Sequence, residues 1–96
     1  MLIRWIKRMF GIYETGCEYW IPIEKIIITP EFARTRIGTH KWRRKKHYYY
    51  CTGEFESQIV LTKDFVLTNG YSSYKIARYI GVDKVPVVFE EYIDED

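Results

Sequence analysis

The 96-residue sequence predicts a small, single-domain α+β fold. Three observations carry that expectation. Hydrophobic residues form 47% of the chain and charged residues 29%, the balance of an ordinary globular protein and not of a disordered or fibrous one. Short β-branched runs alternate with two stretches of helical spacing, giving the order β–α–β–β–α–β behind an additional N-terminal segment. No apolar run approaches the roughly eighteen residues of a transmembrane helix, so the apolar content is read as one buried core.

Taken in order, residues 1–20 form an N-terminal extension. Leu2, Trp5, Ile6, Met9 and Tyr13 recur near helical spacing, Arg4, Lys7 and Arg8 lie between them, and Gly11 offers a stop. This basic amphipathic helix is expected to cap the open face of a small sheet, with Trp5 and Phe10 in the core; a membrane or partner surface is the other reading. The domain proper spans 21–89. Trp20 to Ile28, rich in isoleucine and begun through Pro22, reads as a buried strand stopped by Thr29-Pro30. A polar connection leads to Gly38.

Thr39 is expected to cap a helix running to about Tyr50, with Thr52-Gly53 as its stop. Its inward stripe would be Trp42, Lys46, Tyr49 and Tyr50, with Lys46 snorkelling. Ile59–Leu61 and Phe65–Leu67 read as strands joined by a turn at Lys63-Asp64, and Thr68-Asn69-Gly70 as the next turn. A second helix is expected from about Ser72 to Ile80, burying Ile76, Ala77 and Ile80, with Gly81 as its C-cap. Val85–Phe89 closes the fold as a strand that Pro86 would place at an edge or at its own start. Residues 90–96 form an acidic tail.

Charge is distributed unevenly around a net of only +2. Residues 1–53 hold 11 Lys/Arg against 4 Asp/Glu, whereas residues 54–96 hold 4 against 9. Between Phe32 and Gly53 there are seven basic residues and no acidic one, and Glu90 to Asp96 carries five acids. One face is therefore expected to attract polyanions, unless the tail folds back and neutralises it. Lys41, Arg43, Arg44, Lys45, Lys46, His47 and Tyr48 are the candidate nucleic-acid contacts. Lys and Arg neutralise phosphates with release of counterions, and Tyr stacks on unpaired bases. The same surface would also suit an acidic protein patch.

Metal and catalytic signals are weak. His40 and His47 are two helical turns apart, about 10.8 Å, too far to share one ion; His47 and Cys51 at i, i+4 lack further ligands. No carboxylate pair accompanies a His or Cys in a hydrolytic pattern. Cys17 and Cys51 make no disulfide framework, and the N-terminus lacks a secretory signal, so a cytoplasmic protein without stable membrane anchoring is expected.

Several segments together resemble the ParB/sulfiredoxin-like superfamily, of which the chain would be a degenerate member. They are Ile21-Pro22-Ile23-Glu24-Lys25-Ile26, the Lys-rich helix ending in Tyr50-Cys51-Thr52-Gly53, Leu67 to Ala77, and Gly81-Val82-Asp83-Lys84-Val85-Pro86-Val87. The resemblance covers roughly residues 21–89. It implies a phosphate-binding turn over Asn69, Gly70, Tyr71, Ser72 and Ser73, where backbone amides and an Arg hold the phosphates of CTP or ATP, or a DNA backbone. Asn69 and Gly70 match, and Ala77 matches the small helix-packing position. Ser72 stands where a His or polar residue is expected and Ser73 where the Arg is expected, which removes the charged fork. The sulfiredoxin nucleophile would fall at Tyr71 or Ser72, so that chemistry is not expected.

The leading expectation is a small non-catalytic module that binds nucleic acid or a nucleoprotein complex through Lys41–His47 and needs no cofactor. A phage or mobile-element accessory or inhibitor protein docking on a protein partner is the alternative. A nucleotide-binding switch using CTP or ATP at Asn69–Ser73 is the third. A homodimer through an edge strand near Val85 is compatible with all of them.

Overall fold

Alternation along the strands decides which way the sheet faces. The structure, a computed structural model, describes residues 16–90. Strands β1 (Glu18–Pro22), β2 (Ile59–Leu61), β3 (Leu67–Asn69) and β4 (Lys84–Phe89) form a mixed four-stranded sheet in the order β1-β4-β2-β3. β1 runs antiparallel to β4, pairing Glu18 with Val88 and Pro22 with Lys84. β2 runs parallel to β4 and antiparallel to β3. On one face Tyr19, Ile21, Val85, Val87 and Phe89 are buried; on the other, Glu18, Trp20 and Lys84 are exposed. Among the described residues three α-helices accompany the sheet: α1 (Pro30–Ala33), α2 (Thr39–Thr52) and α3 (Tyr71–Ile80). α3 lies in the crossover that a parallel β2–β4 pair requires. Ile59, Leu61, Leu67, Ile76, Val85, Val87 and Phe89 are fully buried, each worth about 1.5–3 kcal/mol relative to exposure.

The α+β class, the four strands and the two long helices are as expected, but several details differ for local reasons. β1 begins earlier, at Glu18, and stops at Pro22. A 3-10 turn, Ile23–Lys25, follows, anchored where the Ile23 N–H donates to the Asp83 carbonyl at 2.9 Å. The isoleucine run beyond it is not a continuous strand, because only Ile27 bridges, to Val66. Thr29-Pro30 starts a helix as well as stopping the run. Thr29 Oγ1 accepts from the Phe32 N–H at 3.3 Å, and Pro30 occupies the first turn of α1. The third strand is Leu67–Asn69, not Phe65–Leu67, since Phe65 takes a left-handed φ of 68° and belongs to the turn.

β4 is an interior strand despite Pro86. The parallel ladder with β2 begins at Val87, so the missing proline N–H falls outside it. The cap of α2 is Gly38, with Thr39 as the first helical residue. α3 starts at Tyr71 on Gly70, and Ile80 is only half-buried. The expected N-terminal helix and the tail beyond Glu90 lie outside the described residues. Among the described residues no helix is long and apolar enough to cross a membrane.

Candidate nucleic-acid interface

α2 carries a concentration of positive charge that its own ends do not relieve. No acidic residue occupies its first turn, where a carboxylate would favour the positive end of the helix. The helix is held instead by its C-terminus and its inward side. Gly53, at φ 77°, donates its N–H to the Tyr49 carbonyl at 2.7 Å. Inward, Tyr49 stacks on Phe55 with ring centroids 4.6 Å apart, and Trp42 meets Tyr79 of α3 edge-on at 5.6 Å. Lys46 snorkels as expected: Nζ stands 4.9 Å from the Tyr79 ring centroid and 5.9 Å from that of Trp42.

Two of the residues named from the sequence sit differently. Tyr50 faces solvent, 63% exposed, and is not part of the inward stripe. Lys45, expected on the outer face, is only 7% exposed. Its ammonium donates to Ser57 Oγ and lies 3.6 Å from Glu56 Oε1, so it is a buried anchor between α2 and the loop after it. Arg44 shares the same carboxylate at 3.7 Å. Glu56 is thus the acid that, among the described residues, offsets charge on α2. Among the described residues no carboxylate pairs with Lys41 or Arg43.

What remains on the outer surface of α2 is His40, Lys41, Arg43, Arg44, His47 and Tyr48, all exposed. Cys51 Sγ approaches His47 Nε2 to 3.3 Å, and both are exposed. Among the described residues no group of three or more His, Cys, Asp or Glu is placed to hold a metal ion.

The Asn69–Ser73 turn lies beside this helix. Gly70 holds φ at 86°, its N–H is accepted by Asn69 Oδ1 at 2.8 Å, and its carbonyl accepts the Tyr74 N–H at 3.0 Å. Gly70 presses against β2: a Cβ placed there would lie 2.7 Å from Ile59 Cα. Asn69, Gly70, Tyr71 and Ser72 line a depression of about 220 Å³ that Arg36 and Lys41 also border. Tyr71 stacks on Phe32 at 5.3 Å, which closes one side. Ser73 does not reach the depression. It is 2% exposed, and its hydroxyl donates to the Ser57 carbonyl at 2.6 Å. The cations beside the turn therefore come from a different part of the chain than Ser73, the position where the resemblance implies an Arg. No motif marks Arg36 in the sequence, and its membership of the acid-free stretch is the one signal it carries.

Comparison with solved structures finds the same arrangement of elements. A Pnob8-like ParB-N domain matches with a TM-score of 0.67 at 18% identity, over 85% of this chain and 33% of that one. A pNOB8-like ParB N-domain matches at 0.64 and 19%, over 84% and 31%. The C-terminally truncated chromosome-partitioning protein ParB from Caulobacter crescentus, complexed with CTP-gamma-S, matches at 0.62 and 18%, over 82% and 47%. The fold is that of a ParB N-domain, and the chain spans less than half the length of each of these proteins. No protein-family model and no curated protein matches the sequence.

Proposed function

We propose that the protein is a non-catalytic module that binds nucleic acid through the outer face of α2. The observation that carries this reading is that Lys41 and Arg43 lack any carboxylate partner among the described residues, beside Arg44 and His47, on a helix with no acid in its first turn. Like charges gathered this way destabilise the free protein and are relieved when phosphates replace the missing carboxylates. The contacts are Lys41, Arg43, Arg44, His47 and Tyr48; Lys46 contributes from the flank, and Lys45 holds the helix in place. The likeness to ParB N-domains agrees with a partitioning-type module.

The test is fluorescence anisotropy with short single- and double-stranded DNA and RNA. Arg43→Glu/Arg44→Glu is expected to abolish binding to whichever ligand the native protein takes. Unchanged affinity in that double variant overturns the reading.

One observation favours a second reading, a nucleotide held at the Asn69–Ser72 turn. Arg36 and Lys41 border the depression where the turn itself lacks a cation, and the Caulobacter protein of the same fold holds CTP-gamma-S. Arg36 does not belong to α2. Arg36→Glu should remove binding of CTP or ATP in equilibrium dialysis and leave nucleic-acid affinity nearly unchanged, whereas Arg43→Glu should do the reverse.

A further inference from the structure

A second surface of opposite character lies across the exposed face of the sheet. The segment 53–58, which follows α2, comes down beside β1 and β4 and leaves a groove of about 440 Å³. Trp20, Tyr49, Phe55 and Pro86 supply its apolar lining, with Glu18 and Glu54 beside them. Trp20 is 63% exposed, an unusual position for so large a ring unless something covers it. Tyr49 and Phe55 are fixed by their own stacking.

Charge identifies the occupant. Glu56 also lines the groove but is engaged by Arg44 and Lys45. Glu18 and Glu54 make no ion pair among the described residues. Lys84, the cation that borders the groove, is at the far end from Glu18. The register pairs Glu18 with Val88 and Pro22 with Lys84, so four strand residues, about 13 Å, separate Lys84 from the level of Glu18. An open indole face with unpaired carboxylates nearby suits a guanidinium or ammonium, by cation–π contact and by charge. It does not suit a phosphate.

We infer that this groove docks an extended, arginine- or lysine-bearing segment of a partner protein, with a cationic side chain over Trp20 between Glu18 and Glu54 and an apolar side chain against Tyr49, Phe55 and Pro86. None of Lys41, Arg43, Arg44 or His47 lines this groove, although Arg44 reaches its edge through Glu56, so one module joins a polyanion on one side to a cationic segment on the other.

The probes are the blocked tripeptides acetyl-Arg-Leu-Arg-amide and acetyl-Glu-Leu-Glu-amide, titrated into the full chain by calorimetry. The arginine peptide is expected to bind and the glutamate peptide not to. Trp20→Ala should weaken the arginine peptide roughly two- to fivefold, the loss of an exposed cation–π contact. Glu18→Gln/Glu54→Gln should weaken it independently, with far-ultraviolet circular dichroism showing an intact fold. Arg43→Glu alone, which leaves the Arg44–Glu56 pair in place, should leave peptide binding unchanged while weakening nucleic-acid binding, which separates failure of the groove from failure of the α2 reading. Equal binding of the two peptides, no binding of the arginine peptide, or unchanged affinity in both groove variants would overturn the inference.

Discussion

Gly70→Ala tests the geometry of the turn most directly. The residue has φ +86°, and a methyl there would lie 2.7 Å from Ile59 Cα, 2.9 Å from the Gln58 carbonyl carbon and closer still to the Gln58 carbonyl oxygen. A left-handed conformation costs a non-glycine residue about 1–2 kcal/mol. Ordinary contact begins near 3.4 Å, so the backbone at Gln58 and Ile59 must retreat by roughly an ångström, an overpacking cost of about 1–3 kcal/mol. Together the loss is about 2–5 kcal/mol, out of a total stability that for a domain of this size lies toward the lower part of the usual range of about 5–15 kcal/mol.

Gly53→Ala is the internal control. Its φ is +77°, but nothing lies within 4 Å of the added methyl, so only the conformational term of about 1–2 kcal/mol applies. Urea unfolding monitored by tryptophan fluorescence should place the midpoint of Gly70→Ala well below that of Gly53→Ala. Equal midpoints would refute the close approach of the turn to β2, and with it the account of why glycine precedes α3.

Three further outcomes follow from contacts already described. Ser73→Ala removes the bond to the Ser57 carbonyl and leaves that acceptor without its donor, so denaturant titration should show a loss of about 1–3 kcal/mol. Lys45→Ala removes the anchor to Ser57 and Glu56, with an expected loss of about 1–3 kcal/mol; if instead the variant is as stable as the native chain and loses nucleic-acid binding, Lys45 belongs to the surface after all. If Lys41, Arg43 and Arg44 make the phosphate contacts, log affinity for duplex DNA should fall with log salt at a slope of about −3, a loss of roughly 50-fold between about 50 and 200 mM. A slope near zero would exclude the α2 face as a phosphate-binding surface.

The elements most legible in the sequence are those whose signal is local. Ile59–Leu61 and Val85–Phe89 are short apolar runs beside turn residues, and they are strands. Gly53 and Gly81 end α2 and α3 with left-handed φ, as glycines after periodic segments should. What misleads is tertiary. The isoleucines at 26–28 outweigh Glu18 and Tyr19 in β propensity, yet a strand lies where a neighbour can pair with it, and β4 reaches back to Glu18. On α2, successive side chains turn by about 100°, so Lys45 and Lys46 flank the Trp42/Tyr49 stripe almost symmetrically. Which of the two goes under was decided by Ser57 and Glu56, a dozen residues further on. The depression at Gly70 was half visible: Asn69 and Gly70 mark the turn, whereas Arg36 and Lys41 arrive there only through the packing of a different segment.

The sheet order also governs how such a chain reaches its native state. Among the described residues β1 has one neighbour, β4, and the register that joins them links Glu18 to Val88 across almost the whole described chain. Among the described strands β1 therefore has no partner until β4 is present, and closing so long a loop is entropically expensive before contacts repay it. During synthesis the β2–β3 hairpin and the two long helices can form early, but the domain cannot close until Phe89 has left the ribosome. Truncation within β4 would accordingly produce an opened sheet with two unpaired strand edges, an aggregation-prone species and not a smaller folded module.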